Sequence, residues 1–336
     1  MWLLVACTRT LVPQASGPDD GSDPTTDGST SGTDGASSTG DTGPTLPTTD
    51  PDCLAPRVEG PVPFGTIERI QTEEDFDFDR DGHLVAQHGN DLLGYLRDGG
   101  TAVVAPGIGP DAAGIRALTT GDFVVAQPDT GVVKLVDGLT GGSVNAFTDL
   151  RSPNGVEAGV DGFVYLSEFT LSGKLRMVEP YTGAERLLLG DSPINAIALS
   201  PDEQVLYVSS YGYGGGGAFN GIAALDREPD GSWNVFPREV LAAEALIQGL
   251  VTDKCGNLYS VESQTGIVRR YNLADQTVDV LANLGDAGGY GYGFFSSARF
   301  GPGIGGWNRT ELYVTDRARI YVMDVGIEGR HVLAAD

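Results

Sequence analysis

Basic residues are scarce in this chain: 21 Lys and Arg stand against 46 Asp and Glu, for a formal charge of −25. That balance makes nucleic acid and anionic membrane surfaces poor partners and suits solubility and cation binding. Histidine is scarcer still, and His83, His88 and His331 are scattered without the spacing of a zinc site. No Gly-x-Ser-x-Gly elbow offers a hydrolase serine. No apolar run approaches the length of a transmembrane helix, and no long 3.6-residue hydrophobic period marks helices.

Lys and Arg are missing altogether from Thr10 to Pro56, and Gly17 to Asp52 is almost entirely Gly, Ser, Thr, Asp and Pro. Such a tract cannot bury enough apolar surface to offset the entropy of ordering it, which predicts a disordered tether. Ahead of it, Leu4-Val5-Ala6-Cys7 resembles the bacterial lipobox, in which the cysteine is lipidated after signal cleavage. The apolar stretch is short for a signal core and no basic residue precedes it, so the expected translation start lies upstream; the plainer alternative is a chance cysteine. The chain therefore divides into a lipobox-like segment (1–7), a linker (8–52) and a folded domain (53–336). Eight acids and one base fall before Cys53, which leaves −18 on the domain. The expected location is outside the cytoplasm, as a lipoprotein of the cell envelope or a secreted protein, with the lipid as its one membrane contact. With Cys7 set aside, Cys53 and Cys255 remain as a candidate disulfide in an oxidising compartment, pinning the start of the domain to the hairpin around Cys255. Two cysteines so far apart also suit free thiols, and spacing does not choose.

What the sequence has in abundance is a repeat. SPNGVEAGVDGFVYLSE (152–168) reads as strand, tight Asp161-Gly162 turn and strand. The pattern recurs at 75–88, 114–127, 196–210, 249–262 and 298–316, and a third strand follows each copy, as in GVVKLVDG (131–138) and GKLRMVEP (173–180). Most copies supply a fourth; the last offers only HVLAAD from 331, so PFGTIERI (63–70) is expected to complete that unit. Units of about 40–55 residues with four short strands each predict an all-β, six-bladed β-propeller.

In a blade, the residue just before the innermost strand points toward the central channel. The six copies place Glu74, Ala113, Asn154, Asn195, Gln248 and Ser296 in that slot. The second strand returns to the same face and ends in His88, Gln127, Glu168, Ser210, Glu262 and Asp316. Convergent oxygen groups over a channel mouth suit a hard cation or a polar ligand. Each has a plainer reading, since Asn154-Gly155 also suits a turn and Asp81-Gly82 and Asp161-Gly162 are turn formers. Two glycine-rich loops belong to the same face, and their Tyr211, Tyr213, Tyr290 and Tyr292 are candidates for an aromatic rim that stacks on a ring; flexible connections are the alternative.

The segments EDFDFDRDGHL (74–84), SPNGVEAGVDGFVYLSE (152–168), INAIALSPDEQVLYVSS (194–210), QGLVTDKCGNLY (248–259) and ELYVTDRARIYVMDVGIEG (311–329) carry a family likeness in their order. Together the domain resembles the senescence-marker protein, gluconolactonase and luciferin-regenerating-enzyme family. That resemblance implies six blades, a divalent cation held in the channel by a Glu, an Asn and an Asp, and hydrolysis of sugar lactones or related esters. By position it assigns the metal to Glu74, Asn195 and Gln248 and a substrate contact to Asn154. The departure is Gln248, which stands where the family has Asp: an amide lends a carbonyl oxygen to a cation but accepts no proton as a carboxylate does. A base must then come from elsewhere on the face, with His88, Glu168 and Glu262 as candidates and Tyr211 and Tyr290 beside the substrate. The expected activity is a Ca²⁺-dependent, lactonase-like hydrolase acting on a small molecule. The alternative is a non-catalytic, NHL-repeat-like propeller that binds a ligand or protein.

Overall fold

The computed structural model describes residues 50–54, 57–211, 221–242, 245–287 and 294–330. The chain divides into two units, Met1–Gly43 and Pro44–Asp336, and every described residue belongs to the second. Cys7, Tyr213, Tyr290, Tyr292 and His331 lie outside the described residues.

Six four-stranded antiparallel sheets follow one another along the chain as the blades of a propeller. Their inner strands are Phe76–Phe78, Gly114–Ala117, Pro153–Ala158, Ile194–Leu199, Ile247–Thr252 and Ser297–Phe300. Five blades are built from consecutive strands. The sixth takes its outermost strand, Phe64–Ile67, from the start of the domain, paired antiparallel with Ile320–Asp324 from Phe64 opposite Met323 to Ile67 opposite Ile320. The first stretch of folded chain thus closes the ring. At the hairpin turns Gly82 and Gly162 adopt φ of 80° and 85°, the left-handed backbone that Asp-Gly steps supply cheaply.

Alternating apolar residues on both faces of each sheet leave a blade unable to bury its surface alone. Six buried apolar clusters result, each drawn from two neighbouring blades, so that the ring is sealed junction by junction. The junction between sixth and first blades is aromatic: the Phe78 ring lies 5.3 Å from Trp307 and 5.6 Å from Tyr313, and Trp307 Nε1 donates to the Gly82 carbonyl at 2.8 Å. A strap runs ahead of the closing strand along the fifth blade. Cys53 and Cys255 are disulfide-bonded, with Cα atoms 5.4 Å apart. Lys254 pairs with Asp50 at 3.4 Å and Asp52 at 2.5 Å, Arg270 donates to the Val58 carbonyl at 2.8 Å, and Val62 N–H donates to Leu281 O at 2.7 Å.

Candidate functional site at the channel mouth

Because the inner strands surround the axis, the residue preceding or opening each one faces the channel. Glu74, Ala113, Asn154, Asn195, Gln248 and Ser296 all line a single pocket at one end of it. The Asn154-Gly155 step is not a turn here; it lies inside the strand Pro153–Ala158. Gly155 is needed for close approach, since a Cβ there would stand 2.1 Å from the Asn195 carbonyl oxygen of the next blade. Gly114 meets Asn154 O in the same way, at 2.2 Å, so these glycines set how tightly the blades crowd the mouth.

The mouth is polar and internally bonded. Gln248 Nε2 donates to Glu74 Oε1 at 3.2 Å, while Ser263 Oγ donates to Gln248 Oε1 at 2.5 Å. Arg317 Nη2 lies 3.4 Å from the same Glu74 oxygen, and Ser296 Oγ donates to the Glu74 backbone carbonyl at 2.6 Å. Desolvation pushes the Glu74 carboxyl above the ordinary carboxylate range, and the Arg317 guanidinium opposes it. Asn195 Nδ2 is buried without a hydrogen-bond partner.

Beneath the mouth lies a second ring that sequence reasoning missed. Three positions further along each inner strand stand Asp77, Arg116, Glu157, Ala198, Val251 and Arg299, and all six line a second cavity toward the other end of the channel. In a regular strand, residues i and i+3 face opposite sides. In the third, fourth and fifth blades register shifts between Pro153 and Val156, Ile194 and Ile197, and Ile247 and Gly249 break that alternation; in the other three the slot residues Glu74, Ala113 and Ser296 lie ahead of the regular strand, where alternation does not bind them. Between the rings Asp75 is a buried hub: Arg116 Nη1 reaches it at 2.7 Å, Arg299 Nη2 at 3.1 Å and the Ile115 N–H at 3.0 Å.

Comparison with solved structures bears on the whole ring. A gluconolactonase from Xanthomonas campestris superposes with a TM-score of 0.61 at 16% identity, over 82% of this chain and 97% of that one. A calcium-binding regucalcin from Agrobacterium tumefaciens gives 0.59 at 18% identity, over 80% and 95%. The fold is that of the gluconolactonase-like propellers. An auxiliary nutrient-binding protein from Bacteroides ovatus also matches, at 0.57 and 14% identity over 78% of this chain and 70% of that one. No protein-family profile matches the sequence, and no curated protein does.

Of the residues expected around the mouth, the structure brings together Glu74, Asn154, Asn195 and Gln248 in one pocket, whose lining does not include His88, Glu168 or Glu262. His88 is exposed at the end of its strand and lines neither cavity. Glu168 is buried 3.5 Å from Arg176, with its second oxygen unpartnered. Glu262 is bonded to Thr265 Oγ1 and ion-paired with Arg269. Both arginines come from the third strand of the same blade, so each carboxylate is held within its own sheet. Gln127 and Asp316 likewise serve local structure: Gln127 Nε2 donates to Ile108 O at 3.0 Å, and Asp316 Oδ1 accepts from Arg319 N–H at 2.9 Å. Tyr211 is half-buried where the fourth blade's second strand ends.

A different acidic group, Asp79, Asp81 and His83, brings its side chains together in the first blade's hairpin turn. There Asp79 Oδ1 accepts from the N–H groups of Asp81 and His83, at 2.9 and 2.7 Å. The fifth blade repeats the arrangement with Asp253 accepting from Cys255 and Asn257, both at 2.9 Å. Since the same turn forms where Cys and Asn replace Asp and His, its geometry belongs to the turn.

Proposed function

We propose that the channel mouth is a lactonase-like site for a small sugar lactone or related ester, with Glu74, Asn195 and Gln248 able to hold a divalent cation, Ca²⁺ by their oxygen chemistry. The observation that carries the reading is the meeting of these three side chains in one pocket. The donor set fits such an ion. Amide oxygen and nitrogen are interchangeable in a hydrogen-bond network. Turned over, Gln248 puts an oxygen 3.2 Å from Glu74 Oε1 and donates to Ser263 instead. Asn195 lines the same pocket and offers its amide oxygen as a third donor.

Bound there, a cation would polarise a lactone carbonyl and lower the pKa of a coordinated water. The chain's own residues supply orientation: Asn154 on the pocket wall offers an amide to a ring oxygen or hydroxyl, and the packed glycine steps keep that wall rigid. The Cys53–Cys255 disulfide supports an oxidising compartment, consistent with an envelope lipoprotein tethered through Cys7 or a secreted protein. No helix among the described residues is long and apolar enough to cross a membrane.

One observation favours a second reading, a binding propeller without turnover. The only carboxylate among the three ligands already faces Arg317, and Glu168 and Glu262 are held by Arg176 and Arg269. The nutrient-binding neighbour shows that this fold also serves in a protein of that name. A panel of sugar lactones, assayed with Ca²⁺ and with chelator, separates the two. Calcium-dependent turnover supports the lactonase; saturable lactone or sugar binding with no turnover in either condition supports the binding module and removes the hydrolase.

A further inference from the structure

Along the axis the buried guanidinium groups are matched within the protein. Arg116 and Arg299 meet on Asp75, and Arg116 also reaches Glu157 at 3.1 Å. Arg330, which enters the far cavity from the end of the described chain, pairs with Glu157 at 2.7 Å and with Glu203. Arg317 is placed differently. Its side chain is 44% exposed, and its Nη2 lies 3.4 Å from Oε1 of Glu74, the same oxygen that accepts from Gln248 Nε2.

The backbone that presents this guanidinium is firmly set. Arg317 follows the sixth blade's second strand, Glu311–Thr315, and holds φ at 71°, a left-handed conformation that a side chain with a Cβ keeps only where its surroundings impose it. Those surroundings are explicit. Thr315 Oγ1 accepts from the Arg317 N–H at 3.0 Å, and the Thr72 N–H donates to the Arg317 carbonyl at 3.0 Å. The buried hydroxyls of Thr72 and Thr315 are bonded to each other at 2.9 Å. Thr72 stands two residues ahead of Glu74, so one group of bonds fixes both the arginine backbone and the approach to the carboxylate. The neighbouring Asp316 is held by Arg319 and by the Tyr321 hydroxyl. The arginine side chain is less constrained. It lies over the exposed Phe294 ring, 5.7 Å from its centroid, and an ion pair this open to solvent breaks at little cost. The guanidinium can therefore leave Glu74 by side-chain rotation alone.

We propose that Arg317 is the resident counter-ion of Glu74 and competes with the divalent cation, so that ion binding displaces the guanidinium and Arg317 sets the cation affinity. This inference rests on the reading of the mouth as a cation site. A guanidinium and a divalent ion beside one carboxylate repel each other, and the amides of Gln248 and Asn195 bring no negative charge to offset that repulsion. The ion must share Glu74 or evict Arg317, and either course weakens its binding. Arg317 acts through Glu74 and is a positioning residue.

The test is calorimetric Ca²⁺ titration of the folded wild type, Arg317→Gln, Arg317→Lys and the double variant Arg317→Gln/Glu74→Gln. Glutamine removes the charge and leaves the backbone bonds in place; lysine keeps the charge. The expected result is affinity tightened about tenfold in Arg317→Gln, as fits a site whose affinity follows its net charge, close to wild type in Arg317→Lys, and absent in the double variant. A merely structural role would lower the unfolding midpoint without tightening Ca²⁺ binding. Affinity in Arg317→Gln no better than wild type overturns the proposal and leaves the mouth reading standing. An equal gain in Arg317→Lys overturns it by assigning the effect to space, and a gain that survives in the double variant overturns it by placing the ion away from Glu74. If neither the wild type nor Arg317→Gln binds Ca²⁺, the cation reading of the mouth fails and this inference with it.

Discussion

Replacing Cys53 and Cys255 by serine should lower stability by several kcal/mol while leaving the blades intact. The bond spans 202 residues of sequence, from the start of the domain into the first hairpin of the fifth blade. In the chain-entropy picture a loop of that length restricts the unfolded chain by about 5 kcal/mol at 25 °C, an upper value because denatured chains retain some structure. The other ties of the strap do not replace it. Lys254 is partly exposed and its pairs with Asp50 and Asp52 are open to solvent, where such contacts contribute about 0–1 kcal/mol each. The Phe64–Ile67 strand keeps its ladder on Ile320–Asp324, so the native blade arrangement should persist. Urea unfolding of the double serine variant should show a lower midpoint and a somewhat steeper slope, since the unfolded chain expands without the bond, equivalent to about 2–5 kcal/mol. A loss under about 0.5 kcal/mol would refute the reasoning, because it would mean that the strap does not restrict the unfolded chain.

Other consequences are as direct. Burial pushes the Asp77 carboxyl up to about 6, against the pull of Arg116, so its charged form is disfavoured in the folded state. Its contribution is therefore fully present below its ordinary value near 4 and lost as pH rises to about 6, by at most about 3 kcal/mol. Subtracting the pH–stability curve of Asp77→Asn from the wild-type curve should isolate that fall; a flat difference contradicts it. Gly155→Ala should cost about 1–3 kcal/mol in thermal or denaturant unfolding, because the new methyl meets the Asn195 carbonyl, and an unchanged midpoint would show that the blades can part there. Gln248→Asp adds a second carboxylate beside Glu74 and should tighten Ca²⁺ binding on the order of tenfold, about 1.4 kcal/mol, by calorimetry.

The fold was legible because every copy of the repeat carries the same local chemistry. Turn-forming Gly and Asp residues mark the hairpins, as Asp-Gly at 81–82 and 161–162 and as Pro-Asp at 201–202, period-2 apolar runs mark the strands, and PFGTIERI had no other blade to join. The mouth was legible for the same reason: once copies are aligned, the slot before each inner strand gives Glu74, Asn154, Asn195 and Gln248 together. The second ring was not, because Arg116, Glu157 and Arg299 look like the outward polar positions of ordinary alternation. A bulge turns Glu157 to the axis, Arg116 and Arg299 sit on regularly paired inner strands, and aligning three residues past the slot would have exposed the charge pattern. Glu168 and Glu262 stood out as bare acids in sequence, and their partners Arg176 and Arg269 lie in third strands whose pairing register decides the contact. Arg330 reaches the channel from beyond the last described strand, where no repeat signal exists to place it.

The most direct test of the mouth is Ca²⁺ titration of the wild type and Glu74→Gln by calorimetry, with circular dichroism confirming that both are folded. One carboxylate and two amides predict weak binding, Kd about 10⁻⁴ to 10⁻³ M, abolished when Glu74 loses its charge. If Glu74→Gln binds Ca²⁺ as well as the wild type, the ion is held elsewhere and the lactonase-like reading of the mouth fails.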